Sequence, residues 1–164
     1  MFHARRNRTA DDSAEAPSLT GAAAIDSRFG LGPVHPAPLT EDMTLAIAAL
    51  ARSLGFDCTR VDLAGCTEKR EFLARLARAL EFPARFGPNW DGFADGITDL
   101  GWRPAPGYVL ILEHAREMQQ IEPEVFDTAL AILADAATVW HARGAELHVF
   151  VATAEPASGT RPGV

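Results

Sequence analysis

Cysteine is nearly absent from this chain. Cys58 and Cys66 are the two among 164 residues, and they do not form a CxxC pair. That excludes a disulfide framework and leaves two reduced thiols as the expectation. Long apolar runs are missing as well: no stretch approaches the roughly 18 consecutive apolar residues of a membrane helix. Positive charge is in deficit, the formal net charge being −7, which argues against a general affinity for nucleic acid or for an anionic membrane. The opening MFHARRNRTADD carries arginines, but no apolar core of a signal peptide follows them, so a cytoplasmic location is expected.

Catalytic signatures are also missing. There is no GxSxG, no P-loop and no GxGxxG. The histidines His3, His35, His114, His141 and His148 form neither HExxH nor HxH. No metal or other cofactor is expected.

What is present is a core. Hydrophobic residues make up 48% of the chain, enough for one folded unit of this length. Most of the negative charge falls within residues 56–151. Residues 1–38 mix charges with Ala, Ser, Gly and Pro and show no lasting apolar period, as does the tail 153–164. Both are expected to be flexible. Residues 39–55 predict an accessory amphipathic helix. Thr40 suits its cap, Glu41 and Asp42 its positive end and Gly55 its stop, with Met43, Ile47, Leu50 and Leu54 on the apolar face.

Residues 56–152 read as strand–helix units. FDCTRVDLAG predicts a strand, and TEKREFLARLARALEF an amphipathic helix capped by Thr67 with a Glu71–Arg75 pair. GYVLILE and ELHVFVA are continuous apolar runs, the pattern of buried parallel strands. Between them PEVFDTALAILADAATVWHARG predicts the longest helix, with Pro123 in its first turn and Gly144 at its end. Strands separated by helices, without hairpin signals, predict an α/β fold: a three-stranded parallel sheet packed by about four helices.

The stretch FPARFGPNWDGFADGITDL, residues 82–100, is the candidate site. Asn89 is a natural N-cap for a helix starting at Trp90, and Asp91 favours its dipole. Capping leaves Asp95 unexplained, because a like charge four residues on costs a few tenths of a kcal/mol. It also leaves Gly92 and Gly96 unexplained, each roughly 1 kcal/mol worse than alanine inside a helix. Missing side chains beside two carboxylates would let another surface approach closely. Trp90 and Trp102 flank the acids, and tryptophan is favoured at interface hot spots. A binding face and a capped, solvated helix are evenly matched on these residues. Paired carboxylates also serve hydrolysis or Mg²⁺, but the motif has no histidine and no third acid at clear ligand spacing.

From Gly87-x-Asn89-Trp90-Asp91-Gly92-Phe93-x-Asp95, with Phe86 before it and YVLILE, the long helix, Gly144 and the last strand after it, the stretch 56–152 resembles the barstar family of intracellular ribonuclease inhibitors. The resemblance implies a non-catalytic domain whose acidic helix plugs the cationic active site of a basic secreted ribonuclease or ribonuclease-like toxin. Asp91 and Asp95 would stand in for substrate phosphates, with Asn89, Trp90, Gly92 and Trp102 as further partner-binding residues, in a monomer binding one to one. Charge complementarity of this kind speeds encounter and penalises wrong partners, and barnase with barstar is itself the standard illustration of it. Three departures from the family pattern stand out: Arg85 in place of an aromatic, Ala94 in place of a tryptophan, and Val139 and Arg143 where a further carboxylate is usual. They keep open an alternative, a barstar-fold interaction module or immunity protein for a different basic toxin or partner.

Overall fold

The computed structural model describes residues 32–153. The elements run β1 (Val34–Ala37), α1 (Glu41–Ser53), β2 (Asp57–Asp62), α2 (Lys69–Ala79), α3 (Trp90–Asp99), β3 (Gly107–Glu113), α4 (Arg116–Ile121), α5 (Pro123–Ala142) and β4 (Glu146–Ala152). All strand pairings are parallel, in the order β1-β4-β3-β2.

The α/β class and the parallel sheet stand, but the sheet has four strands rather than three, and five helices accompany it rather than about four. The added strand is β1, which falls inside the stretch expected to be a flexible arm. Its sequence VHPA hides it, because Pro36 reads as a loop residue. At a sheet edge proline is tolerated, since one side of the strand has no neighbour to receive an N–H. Pro36 sits opposite Val151 in the pairing with β4. The remainder of that arm, residues 1–31, and the tail from 154 lie outside the described residues.

The apolar runs are buried for the expected reason: β3 and β4 are the central strands, with neighbours on both sides. Every residue of β3 but Glu113, and every residue of β4 but Glu146, is buried. One face of the sheet carries Leu110, Leu112, Val149 and Val151 into the main core with Phe72, Leu76, Phe93, Ile97, Phe126 and Leu133. On the other face Val109, Ile111 and Phe150 meet α1 through Ile47, Ala48 and Ala51. The contact stripe of α1 is shifted from the expected one: Thr44, Ile47, Ala48 and Ala51 are buried, and Met43 is exposed. Small residues let the helix lie close to the sheet. Thr40 caps α1 by accepting the Met43 N–H at 3.3 Å. The expected Thr67 cap does not form, because α2 begins one residue later, with Glu68 at the cap position and no side-chain bond there.

By length and composition α5 would be able to cross a bilayer. Here it buries Phe126, Ala129, Leu133, Ala136, Ala137 and Trp140 within the fold, while Glu124, Asp127 and Asp135 are exposed. A core helix passes the same compositional test.

Polar clamps join the layers. Arg103 grips Asp57 through two 2.7 Å bonds and donates to the Ala79 carbonyl at 2.9 Å, tying the loop before β3 to β2 and α2. Arg75 pairs with Glu71, as its spacing implies, and donates to the carbonyls of Asp62, the last residue of β2, and Ala64 beyond it. Asp62 accepts the Ala64 N–H at 2.9 Å and faces His114 Nδ1 at 2.7 Å. The Ala64 N–H first and His114 second hold its carboxyl below the ordinary 3.8. A depressed carboxylate contributes stability that is present above its ordinary value and is lost as pH falls through the folded one. Asp62→Asn is therefore expected to be less stable than the parent at pH 7, with the gap closing below about pH 4. Urea melts of both proteins across that range check it, and a gap independent of pH would contradict it.

Candidate functional site

Helix α3 starts where the sequence places it. Asn89 has extended backbone, and its side-chain oxygen accepts the Gly92 N–H at 2.7 Å. The preceding loop is folded on itself by bonds from Phe86 N–H to the Pro83 carbonyl and from Asn89 N–H to the Gly87 carbonyl. Phe93 and Ile97 enter the core. Asp91 and Asp95 are exposed one turn apart on the opposite side.

Both glycines serve the chain's own packing. A β-carbon on Gly92 would lie 2.2 Å from the Gly87 carbonyl oxygen, and one on Gly96 would lie 2.4 Å from the Phe82 ring. Gly92 is buried, and within the fold the close approach it permits is that of the Gly87 loop. A side chain at either position would wedge α3 off the body of the domain, and glycine is retained at the cost of helix propensity.

The other end of α3 is held by α5. Trp140 Nε1 donates to the Ile97 carbonyl at 2.9 Å, and Arg143 donates to the Thr98 carbonyl. Leu100 closes the helix in the left-handed region, φ 44°. These bonds satisfy carbonyls that a helix end leaves without intrahelical partners. Trp140→Phe keeps most of the ring and removes the donor, which is expected to cost about 1–2 kcal/mol. Chemical denaturation measures the loss, and amide exchange should show the α3 C-terminus opening first.

Trp102 is half-buried: its Nε1 donates to the Leu80 carbonyl at 3.0 Å, and its ring meets Phe82 edge-on and Phe86 at a tilt. Trp90 is half-buried against Phe93, with Lys69 Nζ 4.9 Å from its centroid. Both tryptophans thus spend much of their surface within the molecule, and each still reaches solvent beside the acids.

Two features of this surface were not read from the sequence. Asp99 extends the acidic line by a further turn, at the spacing that already joins Asp91 to Asp95. Arg85 pairs with Asp99 at 3.2 Å and lies over the rings of Phe86 and Trp102. The spacing of Asp99 was legible, whereas a pair fourteen residues apart was not. Among the described residues, Asp91 and Asp95 make no ion pair. At the two positions that depart from the family's usual carboxylate, Val139 is exposed, and Arg143, just past α5, is occupied with Thr98 and the face of Trp140.

His114 faces Asp62, and His141 Nδ1 faces Glu146 at 2.9 Å. His35 and His148 are buried in adjacent strands with their rings stacked, centroids 5.8 Å apart. His3 lies outside the described residues.

What the surface offers chemically is a rigid, solvent-facing pair of carboxylates, flanked by aromatic rings and by one clasped guanidinium. A family model described as Barstar (barnase inhibitor) matches residues 56–152. No individually curated protein matches the chain.

Proposed function

Since this chain belongs to the barstar family by a match over residues 56–152, we propose that it is a cytoplasmic protein inhibitor that presents Asp91 and Asp95 to the cationic active site of a basic ribonuclease or ribonuclease-like toxin. The observation that carries the reading is the pair itself: two exposed carboxylates one turn apart, without ion-pair partners among the described residues, on a helix anchored at both ends.

A ribonuclease cleft gathers cations to bind phosphate. A carboxylate pair on a fixed backbone offers the same charge without a scissile bond. Burying two carboxylates is costly unless cations meet them, and the cations of such a cleft are left uncompensated when it is empty. Because α3 is held by Asn89, by Gly92 against Gly87 and by Trp140, little ordering is required when it docks. The acidic face also steers a basic partner toward the site, an effect that salt weakens. Trp90 and Trp102 add apolar area at the rim. No step of this action breaks or forms a covalent bond.

The test is titration of the chain into a panel of small basic microbial ribonucleases, following RNA cleavage at low and high salt. Stoichiometric inhibition that weakens with salt and disappears in Asp95→Ala supports the inhibitor reading. RNA cleavage unaffected throughout the panel would remove it. The second reading, an interaction module or immunity protein for a different basic toxin or partner, is favoured by one observation, the Arg85–Asp99 pair at the end of the acidic line.

A further inference from the structure

Arg85 stands beside the acidic helix with its charge only partly answered. Its guanidinium lies 4.7 Å from the Phe86 ring centroid and 5.6 Å from that of Trp102. Those rings are themselves braced, both by Phe82 and Trp102 by its bond to the Leu80 carbonyl. The N–H donors of a guanidinium lie in its own plane. One of these, on Nη2, reaches Asp99 Oδ2 at 3.2 Å. Guanidinium carries five donors, and the side chains of Arg85 and Asp99 are 61% and 46% exposed. Donors that Asp99 does not use therefore remain open to solvent beside α3.

The neighbouring cations are engaged differently. Arg103 is committed to Asp57 and the Ala79 carbonyl, Arg143 to the Thr98 carbonyl, and Lys69 lies over Trp90. Along α3 the surface thus presents two bare carboxylates and then a carboxylate–guanidinium pair. A partner cleft cationic along its whole rim matches the first two positions and opposes the third, and like charges brought together at an interface are costly.

Resting on the reading that Asp91 and Asp95 enter a cationic cleft, we propose that Arg85 determines the specificity of this surface. The partner it fits carries a carboxylate on the cleft rim, opposite Arg85, and a partner whose rim is cationic throughout is rejected. The rings and Asp99 hold Arg85 in place before contact, so less side-chain freedom is lost on binding than for a free arginine.

The probe is catalytically inactive barnase with single glutamates placed in turn around the rim of its active-site cleft. Each form is titrated with the wild-type chain, Arg85→Gln, Arg85→Lys and Asp95→Ala. At one or more rim positions the wild type is expected to gain about tenfold in affinity over unsubstituted barnase. Arg85→Gln should gain less than twofold there. Arg85→Lys, which keeps the charge without the planar fork, should lose most of the gain. Arg85 is exposed, so unchanged melting temperatures establish that the variants are folded. If binding depends on Asp95 but no rim glutamate separates wild type from Arg85→Gln, the proposal falls and the acidic-helix reading stands. If the wild type binds neither barnase nor any rim variant, the proposal falls, and the acidic-helix reading is decided by the ribonuclease panel.

Discussion

Gly92→Ala is expected to destabilise the protein by about 3 kcal/mol, although alanine is the better helix former by about 1 kcal/mol. Two effects of opposite sign meet at this residue, and geometry decides between them. The added β-carbon would sit 2.2 Å from the Gly87 carbonyl oxygen and 2.9 Å from the Gly87 nitrogen. Those are backbone atoms of a loop held by its own hydrogen bonds, so the contact cannot be relieved by a side-chain rotation. Either the loop moves or the first turn of α3 does, and both routes strain the Asn89 cap. For a chain of this size the loss corresponds to a fall of roughly 6–12 °C in melting temperature. Gly96→Ala meets the ring of Phe82 rather than backbone. A side chain can shift where backbone cannot, within the limits set by its contacts with Phe86, Phe93 and Trp102, so the expected loss is smaller. An alanine at position 92 that raised the melting temperature would mean that propensity, not the Gly87 contact, governs this turn.

On the proposed inhibitor reading, Asp95→Ala is expected to weaken ribonuclease inhibition at least about thirtyfold, while the fold is unchanged or slightly stabilised. Among the described residues the Asp95 carboxylate has no hydrogen-bond or ion-pair partner, so nothing in the fold is lost with it. Its removal also relieves like-charge repulsion with Asp91 and Asp99, worth a few tenths of a kcal/mol each. In the proposed complex the same carboxylate would be desolvated among cations. Truncating such an anchor typically costs at least about 2 kcal/mol, or roughly thirtyfold in affinity, much of it from the partner charges left unmatched. Asp99→Ala is the comparison, although that side chain also holds Arg85 and accepts the Gly101 N–H. Its carboxylate already answers Arg85, so its loss should change affinity far less than the loss of Asp95. Calorimetric titration of the three single aspartate variants against the same enzyme gives the ranking. Equal, small losses at all three positions would mean that the acidic line acts only as a diffuse field.

The site was partly legible in the sequence. Asn89 as cap, the start of α3 at Trp90 and the exposure of Asp91 and Asp95 follow from local rules, because capping, dipole and helical period involve residues within a few positions of one another. The glycines were read as openings for another molecule, and that was a tertiary matter. Gly92 answers to Gly87 and Gly96 to Phe82, neighbours that no periodicity announces. Arg85 was legible as a departure from the family pattern, but its partners, Asp99 and two rings, come from the fold.

The same division runs through the whole molecule. Apolar runs, helical stripes and crossover spacing determined the α/β class, the central strands β3 and β4 and the long α5, since each depends on burial patterns a few residues in length. Only the tertiary structure decided that VHPA is a fourth strand, that α1 packs through Ala48 and Ala51 rather than Met43, and that α3 is pinned by Trp140 from a helix more than forty residues away. Those outcomes depend on which surfaces meet, and a chain does not write the distance between its parts into any one of them.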